Sequence, residues 1–253
     1  MKSKTAQSKP KKVAKTSKKI TKISGVSAQK IKEASKRIRP LVLVTPLEKS
    51  NGLSKKFNAN VFIKHEQMQR CGAFKLRGVT NNLKSISDAQ RKKGVVTAST
   101  GNHGIALACA AQFLKTDATV YLCEGVPKNK VENIKNYGAK VEFVKGYCLE
   151  AQVKAMEDAE KKGKYYVHPY NSPITVCGQG TIGYEIWDQL KALNVKSIDA
   201  VFGCVGGGGL LSGVSTYLKA MNPKIECYGV SARRCPAMFE CLKAGKQVKI
   251  PPT

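Results

Sequence analysis

Gly72-Ala-Phe-Lys-Leu-Arg-Gly78 is the stretch whose reading decides the fold. Lys75 stands at its centre, between small residues and one phenylalanine, which suits a solvated surface poorly. It follows an extended segment, Val61–His65, and Gly72 and Gly78 free the backbone to turn around it. A desolvated lysine loses its preference for the ammonium form and becomes a usable amine nucleophile. A Schiff base to a carbonyl cofactor needs such an amine. The same residues also read as a lysine snorkelling from a helix start, without chemistry.

Two later stretches bear on that choice. Val205-Gly-Gly-Gly-Gly-Leu210 follows a predicted buried strand and precedes a predicted helix. Four consecutive glycines lose much backbone entropy on folding. Close approach of a phosphate to several amides accounts for that loss, because a Cβ would block it. A flexible loop is the alternative. Ser99-Thr-Gly-Asn-His103 lies between the strand at Val95 and another helix. Its polar side chains can cap that helix, or its amides can hold a carboxylate or phosphate. His103 reads either as a base or as a structural histidine at a helix start.

Gly178-Gln-Gly-Thr-Ile-Gly183 fits the dinucleotide pattern GxGxxG but does not directly follow a strand. No acid ends a following strand at the required offset, since Asp199 only begins one. Helix packing is the expectation there. No glycine run is followed by Lys-Ser or Lys-Thr, so there is no P-loop.

Outward from these turns the pattern alternates. A helix is predicted over Ser27–Arg39, ended by Pro40, then an extended Leu41–Thr45 and a short helix near Leu53–Phe57. Strands follow at 94–98, 118–123, 140–144, 165–167, 200–204 and 225–230. Helices are predicted between them at 102–114, 128–137, 149–162, 175–193 and 210–221, with a last one at 236–244. Such alternation marks an α/β fold with mainly parallel sheets, whose ligand sites lie at the carboxyl ends of strands. The Lys75, Ser99 and Gly206 turns are all expected near such ends.

The chain has 253 residues and a formal net charge of +27, of which residues 1–24 contribute nine lysines and no acid. That segment reads as a disordered tail, bounded at residue 26, that could act as a nuclear signal, a nucleic-acid contact or an organelle address. No apolar run reaches bilayer length. The nine cysteines form no CxxC pair and no zinc spacing, which fits free thiols in a reducing compartment.

Taken together, these residues resemble the fold type II pyridoxal-phosphate (PLP) enzymes, in the serine/threonine dehydratase (ammonia-lyase) group. The resemblance runs from about Ala28 onward and is carried by TPL at 45–47, GAFKLRG at 72–78, STGNHG at 99–104 and KNKVENIKNYGAKV at 128–141. VHP at 167–169, GQGTIG at 178–183 and GGGGL at 206–210 complete it. With GVSARRCPAMFECLKAG at 229–245, the variant forms are most similar to the hydroxyectoine-utilisation dehydratase branch.

The resemblance implies two three-layer α/β/α domains. Residues 27–83 and 164–253 would form a large PLP-binding domain, and 84–163 a small substrate-binding domain. Lys75 would carry the cofactor as a Schiff base and later take the substrate's α-proton. Phe74 would pack beside the cofactor, and Asn102 would hydrogen-bond its phenolic oxygen. Gly206, Gly207, Gly208, Gly209 and Leu210 would cradle its phosphate. Ser99, Thr100, Gly101, Asn102 and His103 would hold the substrate carboxylate, mostly through backbone amides. The implied reaction is loss of water and ammonia from a small β-hydroxy amino acid of the threonine or serine type, leaving a 2-oxo acid.

Several departures keep other readings open. Thr100 stands where threonine dehydratases carry alanine and serine racemases carry a serine acid/base, which leaves racemisation open. Ser231 and Ala237 occupy places where the racemase metal site needs acids, so no metal is expected. The sequence ends at Pro251-Pro-Thr253, where the family continues, so the expectation is a C-terminally truncated member. An inactive dehydratase remnant, or a second chain completing the C-terminal part, follows from that. A nucleic-acid-associated protein acting through its tail is the third reading. A homodimer in the cytoplasm, with no membrane contact, is the family expectation.

Overall fold

The structure is a computed structural model and describes residues 24–248. The lysine-rich tail expected over residues 1–26 lies outside them except for its last three residues.

Ser27 starts the first helix. Its Oγ accepts from the Lys30 amide at 3.2 Å, and α1 (Ala28–Ile38) follows. Ile31, Ala34, Ser35 and Ile38 are buried, the three-and-four spacing of a single inward stripe. The extended Leu41–Thr45 joins no sheet. The Leu43 amide and carbonyl bond the side-chain amide of Gln69 instead, at 2.9 and 3.0 Å. The first sheet pairs β1 (Leu47–Lys49) antiparallel to β2 (Phe62–Lys64), across α2 (Asn51–Phe57).

Lys75 is the first residue of α3 (Lys75–Ser85), a helix of which the sequence reading offers only the start, in its snorkelling alternative. It therefore lies at a helix start and not at the end of a parallel strand. The helix buries eight residues in succession, Leu76 to Leu83, including Arg77, Thr80, Asn81 and Asn82. Buried polar side chains need partners, and most of these have them. Asn81 donates to the Ile174 carbonyl at 2.8 Å, and Asn82 to the Gly78 carbonyl at 2.7 Å and Thr175 Oγ1 at 2.9 Å. The short α4 (Asp88–Lys92) leads into the next sheet.

That sheet is parallel. Its strands are β3 (Val95–Ala98), β4 (Ala118–Cys123), β5 (Lys140–Val144) and β6 (Tyr165–Tyr166), in the order β5-β4-β3-β6. The crossover helices are α5 (Asn102–Phe113), α6 (Lys128–Asn136) and α7 (Cys148–Lys162). Val120 and Leu122 point to one face, with Ile105, Leu107 and Ile134 of α5 and α6. Tyr121 and Cys123 point to the other, with Ala151, Ala155 and Ala159 of α7. The period of two along β4 thus sets three layers. Strand order reverses at β3, since β4 and β5 lie on one side of it and β6 on the other. The crevice beyond β3 and β6 is where such sheets bind ligands. Residues 165–166 belong to this sheet, so it reaches just past the boundary expected at residue 163.

The chain closes with α8 (Pro173–Ala192), β7 (Ala200–Cys204), α9 (Gly209–Met221), β8 (Glu226–Val230) and α10 (Ala237–Ala244). GQGTIG lies inside α8 as a packing surface. A Cβ on Gly178 would sit 2.6 Å from the Gly78 Cα, and one on Gly180 2.9 Å from the Gly213 carbonyl. The absent side chains let α3 and α9 approach α8 closely. β7 and β8 pair in parallel. The sequence reads β7 as buried, yet Phe202 is 69% exposed and stacks on Tyr228 with centroids 5.0 Å apart. The apolar run of β7 matches a strand packed on both faces, but α9 covers only one, where Val201 and Cys227 meet Val214 and Leu218. No helix among the described residues is long and apolar enough to cross a membrane.

Candidate active site

Five residues after β6, Val167-His-Pro-Tyr-Asn171, tie the predicted constellations to one another. The Val167 carbonyl accepts from Thr97 Oγ1 at 2.8 Å and from His103 Nε2 at 3.1 Å. The Pro169 carbonyl accepts from Lys75 Nζ at 2.7 Å. A Cβ built on Gly207 would lie 2.2 Å from Tyr170 Cγ, and one on Gly209 2.7 Å from the Tyr170 carbonyl oxygen. The Ser99 turn, Lys75 and the glycine turn therefore all border this loop. The loop is held in turn by the amides of Tyr170 and Asn171, which donate to His168 Nδ1 at 3.3 and 2.9 Å. Thr175 Oγ1 donates to the His168 carbonyl at 3.0 Å.

Lys75 is partly buried, and its ammonium lies 5.5 Å from the centre of the Phe74 ring. Burial brings its pKa down to about 8, with Cys204 opposing that shift weakly. Phe74 and Leu210 both pack against the cluster of Ile182, Val214, Leu218 and Ile225, so the residue before Lys75 shares a cluster with the end of the glycine turn.

The glycine turn leads into α9. Gly208 has φ +84°, the left-handed region that glycine enters at no steric cost. A Cβ on Gly206 would meet nothing within 4 Å, so space is open there. The amides of Gly206, Gly207, Gly208, Gly209 and Leu210 donate to no acceptor among the described residues. A row of free amides at the start of a 13-residue helix is a cradle for an anion.

The Ser99 turn is a second such row. The Ser99 amide donates to the Tyr121 carbonyl, and the Gly101 amide to Ser99 Oγ at 3.2 Å. The amides of Thr100, Asn102 and His103 have no acceptor among the described residues. Asn102 is exposed, and its Oδ1 accepts from Lys130 Nζ at 3.3 Å, which leaves its Nδ2 free to donate. The His103 ring is 3% exposed, and burial, with Lys75 nearby, lowers its pKa to about 3. It is a neutral donor to Val167. The structure thus places His103 as a tie between α5 and the loop, and only its backbone amide is available to a ligand.

Sequence reasoning missed the supports. Arg77 is fully buried and bonds Glu66 through Nε and Nη2, both at 2.8 Å, and Glu185 through Nη1 and Nη2 at 2.7 and 2.8 Å. Lys64 Nζ reaches Glu185 at 2.7 Å, Gln189 at 2.8 Å and the Thr45 carbonyl at 2.7 Å. Two cations and two carboxylates balance. Together they pin α3, two residues beyond Lys75, to β2 and α8. Arg77 lies in the quoted motif, but nothing in the motif names its partners. Pro169 acts through its backbone, which has no residue signature, and Lys130 carries no signal of its own within KNKVENIKNYGAKV.

An amine freed from part of its hydration, beside a glycine cradle of unpaired amides, fits an aldehyde cofactor with a phosphate tail. Residues 38–253 match the family described as pyridoxal-phosphate dependent enzymes. The chain belongs to that family. Among its PLP-dependent relatives, it is 37% identical to the L-threonine ammonia-lyase of Thermotoga maritima, over 89% of this chain and 55% of that protein. It is 41% identical to the catabolic L-threonine dehydratase TdcB of Staphylococcus aureus, over 85% of this chain and 61% of that protein. Of solved PLP-family structures, maize serine racemase superposes with a TM-score of 0.85 at 34% identity, covering 90% of this chain and 68% of that one. The processed threonine deaminase isoform 2 of Solanum lycopersicum superposes with a TM-score of 0.81 at 36% identity, covering 87% and 60%. The architecture is that of fold type II. The chain spans 55% and 61% of the length of these two curated relatives.

Proposed function

We propose that this chain serves a PLP-dependent ammonia-lyase, which converts a small β-hydroxy amino acid of the threonine or serine type into a 2-oxo acid and ammonia. The observation that carries this is the convergence of Lys75, His103 and Gly207 on the Val167–Asn171 loop. The cofactor, when bound, supplies an electron sink for charge developing at the substrate's α-carbon.

The chain's own residues supply the rest. The free amides of Gly206, Gly207, Gly208, Gly209 and Leu210 hold the phosphate, and Phe74 walls the cofactor. Lys75 Nζ would hold the cofactor at its aldehyde, and the same amine would take the substrate's α-proton. Its lowered pKa keeps a neutral fraction of the amine available near neutral pH. Asn102 Nδ2 donates to the cofactor's phenolic oxygen, with its Oδ1 turned toward Lys130. Among Ser99, Thr100, Gly101, Asn102 and His103, the substrate carboxylate falls to the amides of Thr100, Asn102 and His103, since the other two are already engaged. The large unit, 27–83 with 164–253, carries the cofactor in this reading, and the small unit, 84–163, carries the substrate turn. A second copy of the chain is the proposed partner, and light scattering tests it.

The experiment is a spectrum with added PLP, followed by an ammonia-release screen on L-serine and L-threonine. A visible absorbance band and release of ammonia with one of them are the expected results. A chain that takes up no PLP overturns the proposal. The maize serine racemase likeness and the exposed Thr100 favour a second reading, racemisation. Chiral analysis of the remaining serine separates the two.

A further inference from the structure

Two thiols touch at the rim of the four-stranded sheet. Cys123 ends β4, Cys148 opens α7, and their Sγ atoms are 3.7 Å apart. Cys123 is buried, packed with Val96 and Ala151, whereas Cys148 is exposed. No other pair among the nine free cysteines is in hydrogen-bonding contact through sulfur. Neither thiol has a part in the proposed chemistry.

We propose that Cys123 and Cys148 form a reactive dithiol, an oxidative modification site that closes to an intrachain disulfide when hydrogen peroxide reaches it. Exposure makes Cys148 the sulfur that a solvent-borne oxidant meets first. Its sulfur attacks one peroxide oxygen and the O–O bond breaks. The sulfur loses two electrons and becomes a sulfenic acid, and the other oxygen leaves as water with the thiol proton. Cys123 Sγ then attacks the Cys148 sulfur. The S–S bond forms, the S–O bond breaks, and the second thiol proton leaves with the hydroxyl as water. Two thiols and one peroxide give one disulfide and two waters.

The sulfurs need to close by roughly 1.7 Å to reach disulfide length. That movement falls to the first turn of α7, which carries the exposed partner. Burial raises the pKa of Cys123, which makes its attack on the oxidised partner the slower of the two steps. The bond would form beside the substrate turn, because Cys123 lies two residues beyond Tyr121, whose carbonyl holds the Ser99 amide. The proposal stands on the two sulfurs and does not need the enzymatic reading.

Peptide mapping of the full chain tests it. The reduced protein is treated with hydrogen peroxide, its remaining thiols are alkylated, and it is digested with trypsin without reductant. Peptides 116–128 and 146–154 are expected as one linked species, two hydrogens lighter than their sum and separated by dithiothreitol. In Cys123→Ser, Cys148 is expected to stay a sulfenic acid that dimedone traps. Over-oxidation of Cys148 in the wild-type chain without that link overturns the proposal. So does a link from Cys148 to any other cysteine.

Discussion

Lys75 Nζ and the Pro169 carbonyl oxygen stand 2.7 Å apart, and this bond fixes where the amine waits. A carbonyl only accepts, so the amine faces the loop as a donor whichever protonation state it holds. The loop in turn is locked by His168 and Thr175. The amine's position is therefore a property of the β6–α8 connection as much as of its own helix.

Replacing Lys75 with alanine is expected to abolish the visible band formed with PLP and all ammonia release. Absorbance and a coupled ammonia assay on the purified variant check this.

The same lysine predicts a pH effect on stability. Its pKa in the folded chain is lowered to about 8 from 10.5. A base with a lowered folded pKa costs stability while it is charged, below about pH 8, and that cost fades as pH rises toward the unfolded value. Lys75→Met should therefore melt above the wild type at pH 7, both without cofactor. The gap should narrow between pH 8 and 10.5. A gap that stays constant over this range overturns the assignment.

Two glycine substitutions separate binding from packing. Gly206→Ala adds a methyl group into open space, so its melting temperature should match the wild type while affinity for PLP falls at least tenfold. Gly178→Ala drives a methyl group to 2.6 Å from the Gly78 Cα and 2.7 Å from the Arg77 carbonyl oxygen. Overpacking of this kind costs about 1–3 kcal/mol. Urea unfolding and PLP titration of both variants read the difference.

Arg77→Met should be among the most destabilising single changes, because it leaves Glu66 and Glu185 facing each other without their shared cation. Breaking a buried pair on one side costs about 3–5 kcal/mol. Burial works against the Glu185 carboxylate, but Arg77 and Lys64 hold its pKa below the usual value. That contribution is present above the ordinary glutamate pKa and lost as pH falls through the lowered one. The variant's deficit in urea should accordingly shrink on acidification.

Lys130→Met removes the cation that orients Asn102. Weaker cofactor retention and a higher KM are expected, with little change in melting temperature, since Lys130 has no buried ion pair. Equilibrium dialysis of PLP and steady-state kinetics check it.

Much of this was readable from residue order. Strand–helix alternation follows from apolar runs such as Ala118–Cys123, all six residues of which are buried. Turns rich in glycine mark places where backbone amides stay free, so the 206–209 and 99–103 turns stood out. The α3 helix did not, because Leu76, Val79 and Leu83, though spaced as a helical stripe, are interrupted by Gly78 and by polar residues that are buried with them. Its polar residues are buried against Ile174, Thr175, Glu66 and Glu185, and partners that distant in sequence leave no local pattern. The exposure of β7 was hidden for a related reason. Val201-Phe202 is as apolar as a core strand, and only the packing shows that Phe202 faces solvent. The role of His103 was open between base and structural residue, and burial against Val167 decides its side chain.

The near-contact of Gly78 with Gly178 has a consequence for how this sequence can change over time. When two packed side chains meet, growth of one can be offset by shrinkage of the other. At Gly178 nothing opposite can give way, since a Cβ there would meet the Gly78 Cα and the Arg77 backbone, and no residue is smaller than glycine. Drift is closed off at Gly178, and the height at which the helix holds the Lys75 nitrogen is inherited with it.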